Sequence, residues 1–133
     1  MNNLDQSKYS IKNIFEKQMA NSTAQKLLFN LNEELTHQLD KEHLAFIART
    51  HCRGITYLCN DQKAFLFVNV RQKFISITFF TGNSRIDGLK KANWGKWEDN
   101  TGSETFRIFD NPSLKRAVLF AMKAYKIALS CSR

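Results

Sequence analysis

The chain has few of the motifs that would assign it a chemistry. Its three cysteines, Cys52, Cys59 and Cys131, show no CxxC spacing. Without paired spacings or an export signal, we expect reduced thiols, with Cys59 and Cys131 acting as small apolar residues. The sequence contains no phosphate-binding glycine loop, no GxGxxG and no GxSxG motif. These absences favour a protein without enzymatic activity and without a cofactor.

Long hydrophobic runs are also missing. No stretch of about 18 apolar residues occurs, so no membrane span and no membrane partner are expected. The first 20 residues lack the apolar stretch of a secretory signal. The predicted location is the cytoplasm.

Acidic residues are scarce in the second part of the chain. Residues 1–50 hold six Lys/Arg and six Asp/Glu, whereas residues 51–133 hold fourteen against six, which accounts for the net charge of +8. A local excess of positive charge attracts polyanions. Nucleic acid or an acidic protein is therefore the expected partner.

Two long helices are predicted, one before and one after the middle of the chain. Apolar residues at spacings of three and four predict one helix that starts at Ser22, with Gln25 completing a capping box, and another that Asn111 caps. The stripe of the first is Ala24, Leu27, Leu28, Leu31, Leu35 and Leu39, and that of the last is Leu114, Val118, Ala121, Met122, Tyr125 and Leu129. The basic residues of the last helix are best interpreted as a solvated face, and a phosphate-tracking face is the alternative.

In the middle of the chain, the side-chain pattern alternates as in the strands of an antiparallel meander. Residues 53–59, 64–70 and 74–80 are rich in β-branched and aromatic residues, and residues 104–109 supply one more strand. The predicted fold class is therefore a two-layer α+β domain, with an antiparallel sheet of about four to five strands and a long helix before and after it. Residues 1–21 are predicted to form an N-terminal arm or short helix, and residues 22–133 a single domain.

Two helices cover one face of such a sheet, which leaves aromatic residues of the other face open unless the arm or the tryptophan turn at residues 93–97 covers them. An open aromatic and basic face could stack bases and contact phosphates, although core or interface packing is the alternative for its phenylalanines, and loop anchoring for Trp94. The expected ligand-binding residues are Trp94, Trp97, Lys90, Lys91, Lys96, Arg53, Tyr57, Phe65, Lys73 and Arg107.

Metal binding and nucleophilic catalysis are weaker interpretations. His51 and Cys52 are adjacent, so they would point to opposite faces of a strand, and His37 and His43 are six residues apart across a helix break. The sequence predicts no metal ligands and no catalytic residues.

The order of motifs from Ser22 onward resembles an uncharacterised bacterial domain family. The resemblance lies in the leucine-rich helix, in Gly54-Ile55-Thr56-Tyr57, in Phe65-Leu66-Phe67-Val68, in Trp94-Gly95 and in the last helix. Members of that family stand alone or are appended to nuclease-like and restriction-associated proteins, and some carry the label "predicted transport protein". The family usually shows Gly-His-Trp-Gly where this chain has Ala92-Asn93-Trp94-Gly95. The fold is also similar, more remotely, to frataxin-like iron-chaperone domains.

These observations together predict a non-enzymatic binding module with a basic, aromatic surface for nucleic acid or another polyanion. The alternative is a protein-interaction domain or a homodimerisation domain in a defence or restriction-related system, as the resemblance implies.

Overall fold

A computed structural model of the protein describes residues 4–60, 63–81, 86–91 and 103–130. The helices in these residues are α1 (Ile11–Gln18), α2 (Ser22–Lys41) and α3 (Asn111–Ser130). The strands are β1 (Leu4–Asp5), β2 (Ile47–His51), β3 (Gly54–Asn60), β4 (Lys63–Val70), β5 (Ile75–Phe80), β6 (Lys90–Lys91) and β7 (Ser103–Ile108).

The strands form one sheet in the order β1-β2-β3-β4-β5-β7-β6. The α+β class is confirmed, and the five longer strands pair with one another in antiparallel orientation. The described residues form seven strands instead of four to five, because β2 was not among the predicted strands and β1 and β6 add two residues each at the edges. Strand β1 runs parallel to β2, so the sheet is mixed. Two-residue strands are too short to show alternation, so the sequence pattern does not locate them.

Helices α2 and α3 cover one face of the sheet, and the core lies between the two layers. The predicted stripe of α2 is buried throughout. In α3 the prediction was wrong for Leu129, which is 52% exposed, because Ala117, Ala124 and Ala128 take the inner positions instead. The hydroxyl of Tyr125 donates to the carbonyl oxygen of Ala45 at 2.6 Å and so ties α3 to the segment before β2.

The predicted arm forms α1, and its apolar side chains join the same core. Ile11, Ile14 and Phe15 are buried. The amide of Asn21 donates to the carbonyl oxygen of Gln72 at 2.8 Å, which places the α1–α2 junction beside the β4–β5 turn.

Both long helices are capped one residue earlier than predicted. The side chain of Asn21, not Ser22, accepts from the Ala24 amide at 2.9 Å, and Asp110, not Asn111, accepts from the Ser113 amide at 2.9 Å. The hydrogen bonds from Ser113 also lower the pKa of Asp110. Adjacent residues with equal capping ability explain the shift, since the sequence alone does not choose between them.

The pairing of β3 with β4 contains an irregularity that changes which side chains are buried. Tyr57 faces Leu66 and Leu58 faces Ala64, so Phe65 is an additional residue on β4. Such a bulge breaks the alternation of faces. Phe65 and Leu66 consequently both lie in the core.

Candidate functional site

Two rows of residues cross the face of the sheet that α2 and α3 do not cover. Residues that pair across neighbouring strands point to the same face. One row, from β2 to β7, is Arg49, Thr56, Phe67, Thr78 and Thr105, and the next is His51, Gly54, Asn69, Ser76 and Arg107. These two rows form the open face.

A groove of about 810 Å³ lies on the β2–β4 side of the open face. Its floor is formed by side chains of β2 to β5, and the N-terminal segment forms one wall. The lining includes Asp5, Lys8, Tyr9, Arg49, His51, Cys52, Thr56, Leu58, Phe67 and Phe80. The groove therefore combines apolar, aromatic and basic side chains, the mixture found in ligand sites.

A buried threonine holds the N-terminal wall in place. The hydroxyl of Thr50 donates to the carbonyl oxygen of Tyr9 at 2.6 Å. Next to this anchor, the Ser7 amide donates to Asp5 Oδ1 at 2.9 Å, and this hydrogen bond lowers the pKa of Asp5, with a smaller contribution from Arg49. The wall is thus tied to β2 by contacts more than 40 positions apart in sequence.

His51 lies in the groove with both ring nitrogens engaged. Nδ1 is 3.0 Å from the Thr56 hydroxyl and Nε2 is 3.1 Å from Asn69 Oδ1. Both bonds form when the proton is on Nε2, because Nε2 then donates to Asn69 and Nδ1 accepts from Thr56. Burial lowers the pKa of His51, and the positive charge of Arg53 lowers it further, while the bond to Asn69 opposes them. A neutral, fixed ring is the result.

The lowered pKa of His51 predicts a pH effect on stability. The unfolded chain binds a proton at His51 at higher pH than the folded chain, so folded stability is full above about pH 6.5 and declines as pH falls through the lower folded pKa. Urea unfolding of the wild type and of His51→Gln at several pH values between about 7.5 and 5 measures this. We expect the wild type to lose stability relative to the variant on acidification, and a difference that does not vary with pH would contradict the assignment.

Two phenylalanines on neighbouring strands form the aromatic part of the groove. The rings of Phe67 and Phe80 have centroids 5.0 Å apart at 82°, and the ring of His51 packs edge-on to Phe67 at 5.5 Å. Both phenylalanines are only half-buried. They form an aromatic surface against which a planar ligand could pack.

Exposed basic residues lie around this aromatic pair. Lys8 and Arg49 line the groove, and Arg53 is close enough to His51 to affect its pKa. Among the described residues that line the groove, one is acidic, Asp5. The groove therefore favours anions.

The predicted site residues fall into four groups, of which the buried Tyr57 and Phe65 are one. Arg53, Lys73 and Arg107 are exposed as expected, and the guanidinium of Arg107 lies 5.4 Å from the ring of Phe74. Lys90 and Lys91 belong to β6, of which only the backbone path is described. Trp94, Trp97 and Lys96 lie outside the described residues.

The prediction that Tyr57 and Phe65 face a ligand was wrong. Both side chains are fully buried on the helix side of the sheet. The ring of Phe65 packs edge-on against Tyr125 at 5.1 Å. The Tyr57 hydroxyl donates to Asn32 Oδ1 at 2.5 Å, and the complete burial of this side chain raises the pKa of Tyr57. The bulge in β4 is the physical reason for Phe65, since it moves this residue off the face that Phe67 occupies.

None of the residues that line the groove was among the predicted site residues. Arg49 and His51 alternate with buried Ala48 and Thr50 along β2, a period-two signal that could have placed them on the open face. No local signal could have placed Lys8 beside them, because its position depends on the long-range contact between Thr50 and Tyr9.

The described residues do not support a metal centre or a nucleophilic dyad. Within residues 4–60, 63–81, 86–91 and 103–130, no group of three or more His, Cys, Asp or Glu side chains could hold a metal ion. Cys52 is exposed, and the nitrogens of His51 are bonded to Thr56 and Asn69 instead. The groove can therefore bind by stacking, hydrogen bonding and charge.

No protein-family model, curated protein or solved structure matches the chain. The resemblance to the bacterial domain family stays a prediction. Among the described helices, none is long and apolar enough to cross a membrane.

Proposed function

We propose that the protein is a non-enzymatic module whose open face binds single-stranded nucleic acid. One observation carries the proposal: the half-buried Phe67–Phe80 pair lies in a groove whose exposed charges are predominantly basic. Bases of a single strand stack on aromatic side chains while cationic side chains follow the phosphates. The phosphates would be contacted by Lys8, Arg49 and Arg53.

The shape of the surface favours a single strand over a duplex. Stacking requires bases that are free of a double helix, and readers of duplex DNA insert a helix or a two-stranded ribbon into a groove of the duplex. The open face offers a concave groove at the surface of a sheet, and the described helices pack on the opposite side. The ring of His51, held by its bonds to Thr56 and Asn69, packs edge-on to Phe67 and extends the aromatic part of the groove.

Fluorescence anisotropy with a labelled oligonucleotide of about 12 nucleotides tests the proposal, because single-strand sites on small domains span about 4–16 nucleotides. Single-stranded DNA, single-stranded RNA, duplex DNA and heparin are the four probes. Phe67→Ala with Phe80→Ala is expected to weaken single-strand binding about tenfold or more, since stacking contributes about 1–3 kcal/mol per base. Phe29→Ala is the matched control, as Phe29 is 43% exposed on α2.

The salt dependence of the same titration tests the basic residues. Arg49→Glu is expected to reduce the slope of log K against log salt by about 0.7 for each phosphate that the variant no longer neutralises, and Lys26→Glu on α2 is the control. Tighter binding to duplex or heparin than to single strands would contradict the proposal. Equal affinities of the wild type and the double phenylalanine variant would contradict it as well.

A further inference from the structure

A second groove lies on the helical side of the protein, away from the open face. It has a volume of about 890 Å³ and runs between α2 and α3. Val118 and Met122 form its buried floor, and Leu119 stands beside them with 64% of its surface exposed. A large apolar side chain that remains this exposed within a groove gains stability from a partner that covers it.

The two sides of this groove carry opposite charges. The α2 side holds Glu33, Glu34 and Glu42, and the α3 side holds Lys115, Lys123 and Lys126. Across the groove, Lys126 Nζ lies 3.8 Å from Glu42 Oε1, and both side chains stay well exposed. In the described part of the chain, no ion pair engages Glu33, Glu34, Lys115 or Lys123. These four charges are available to a partner.

The ion pair also fixes how the charges line up along the groove. Glu42 follows the end of α2, and Lys126 lies in the last third of α3, so the carboxyl-terminal parts of the two helices are adjacent. The acidic and basic rows therefore run side by side in the same direction. A partner that presents the same two rows in exchanged positions would match every charge.

We propose that the occupant of this groove is a second copy of the chain, related by a twofold axis that runs along the groove. This rotation places α2 of each copy over α3 of the other, so the acidic row of one meets the basic row of its partner and Leu119 packs against α2 of the partner. The contact is isologous, the commonest arrangement of soluble homodimers. A twofold axis across the groove would instead place α2 on α2, with like charges opposed.

The size of the contact sets the expected affinity. Both helices have 20 residues, which is about 30 Å of length at 1.5 Å per residue. Two helices about 10 Å apart then present a footprint on the order of 600 Å², below the roughly 800 Å² per partner of stable complexes. The dimer is expected to be weak and to form in a concentration-dependent way.

Sedimentation equilibrium of the full chain over a range of concentrations tests the dimer. The wild type is expected to shift from monomer to dimer, and Leu119→Glu is expected to raise the dissociation constant at least about tenfold. Leu129→Glu is the matched control, because Leu129 lies on the same helix, is 52% exposed and is outside the groove. A wild type that stays monomeric up to about 1 mM overturns the proposal, as does a dimer that Leu119→Glu leaves intact.

A charge-exchange experiment tests the orientation. Glu33→Lys with Glu34→Lys, and separately Lys115→Glu with Lys123→Glu, should each weaken self-association, while a mixture of the two variants should restore heterodimers. Failure of the mixture to associate overturns the twofold axis along the groove. Single-strand binding by Leu119→Glu should equal that of the wild type, so the outcome for the dimer is independent of the outcome for the open face.

Discussion

Phe65→Ala is expected to lower the free energy of unfolding by about 3–5 kcal/mol, because it removes a fully buried aromatic ring from the centre of the core. The ring contacts Tyr57 at a centroid distance of 6.3 Å and Tyr125 at 5.1 Å. Neither neighbour can collapse freely into the cavity, because each is held by a hydrogen bond from its hydroxyl, to Asn32 and to Ala45 respectively. The cost should therefore lie toward the upper end of the range.

Urea unfolding followed by circular dichroism measures this loss, and Phe67→Ala provides the comparison. Phe67 is two residues further along β4 but half-buried on the open face, so its replacement removes less buried area and should cost less than about 2 kcal/mol. The two variants therefore compare the stability lost by removing a core ring with that lost by removing a half-exposed ring from the same strand. Similar losses from both, or a stable Phe65→Ala variant, would contradict the positions assigned to the two rings.

Phe65 and Phe67 also show which features of the fold can be predicted from the sequence pattern. Alternation along β4 predicts that Phe65 and Phe67 share a face, and the strand itself is predicted well, at residues 64–70 against the observed Lys63–Val70. The bulge opposite Tyr57 has no signature, because residues 64–68 are all apolar and either register would bury apolar side chains. Strand existence follows from local composition, whereas face assignment depends on pairing with β3.

The sequence predicts the basic character of the candidate site better than it predicts which residues line it. An excess of positive charge and a sheet face that the two long helices do not cover follow from composition and element order, and they led to Arg53, Lys73 and Arg107, which are exposed. The groove itself depends on contacts between distant segments, above all the bond from Thr50 to the carbonyl of Tyr9. No local pattern encodes such a contact, so Lys8 and His51 could not be grouped from the sequence.

Gly54→Ala is expected to destabilise the fold by more than about 3 kcal/mol, because there is no room for a side chain at the start of β3. A Cβ atom built on Gly54 would lie 1.9 Å from the carbonyl oxygen of Val68 and 2.9 Å from its carbonyl carbon. These are backbone atoms of the paired strand β4, so relief requires the two strands to separate rather than one side chain to rotate.

The consequences of Gly54→Ala should extend to the groove, because the strands that must move carry its floor. Gly54 pairs with His51 on one side and Asn69 on the other, and the bond between His51 and Asn69 spans the strand at this point. A substituent that separates β3 from β4 would lengthen that bond and move Asn69 away from the ring. Thermal unfolding of Gly54→Ala beside Arg53→Ala, an exposed neighbour expected to cost about 0.5 kcal/mol or less, measures the effect. A Gly54→Ala protein as stable as Arg53→Ala would show that β3 and β4 are not in the close contact described, and would remove the geometric basis for the His51 cluster.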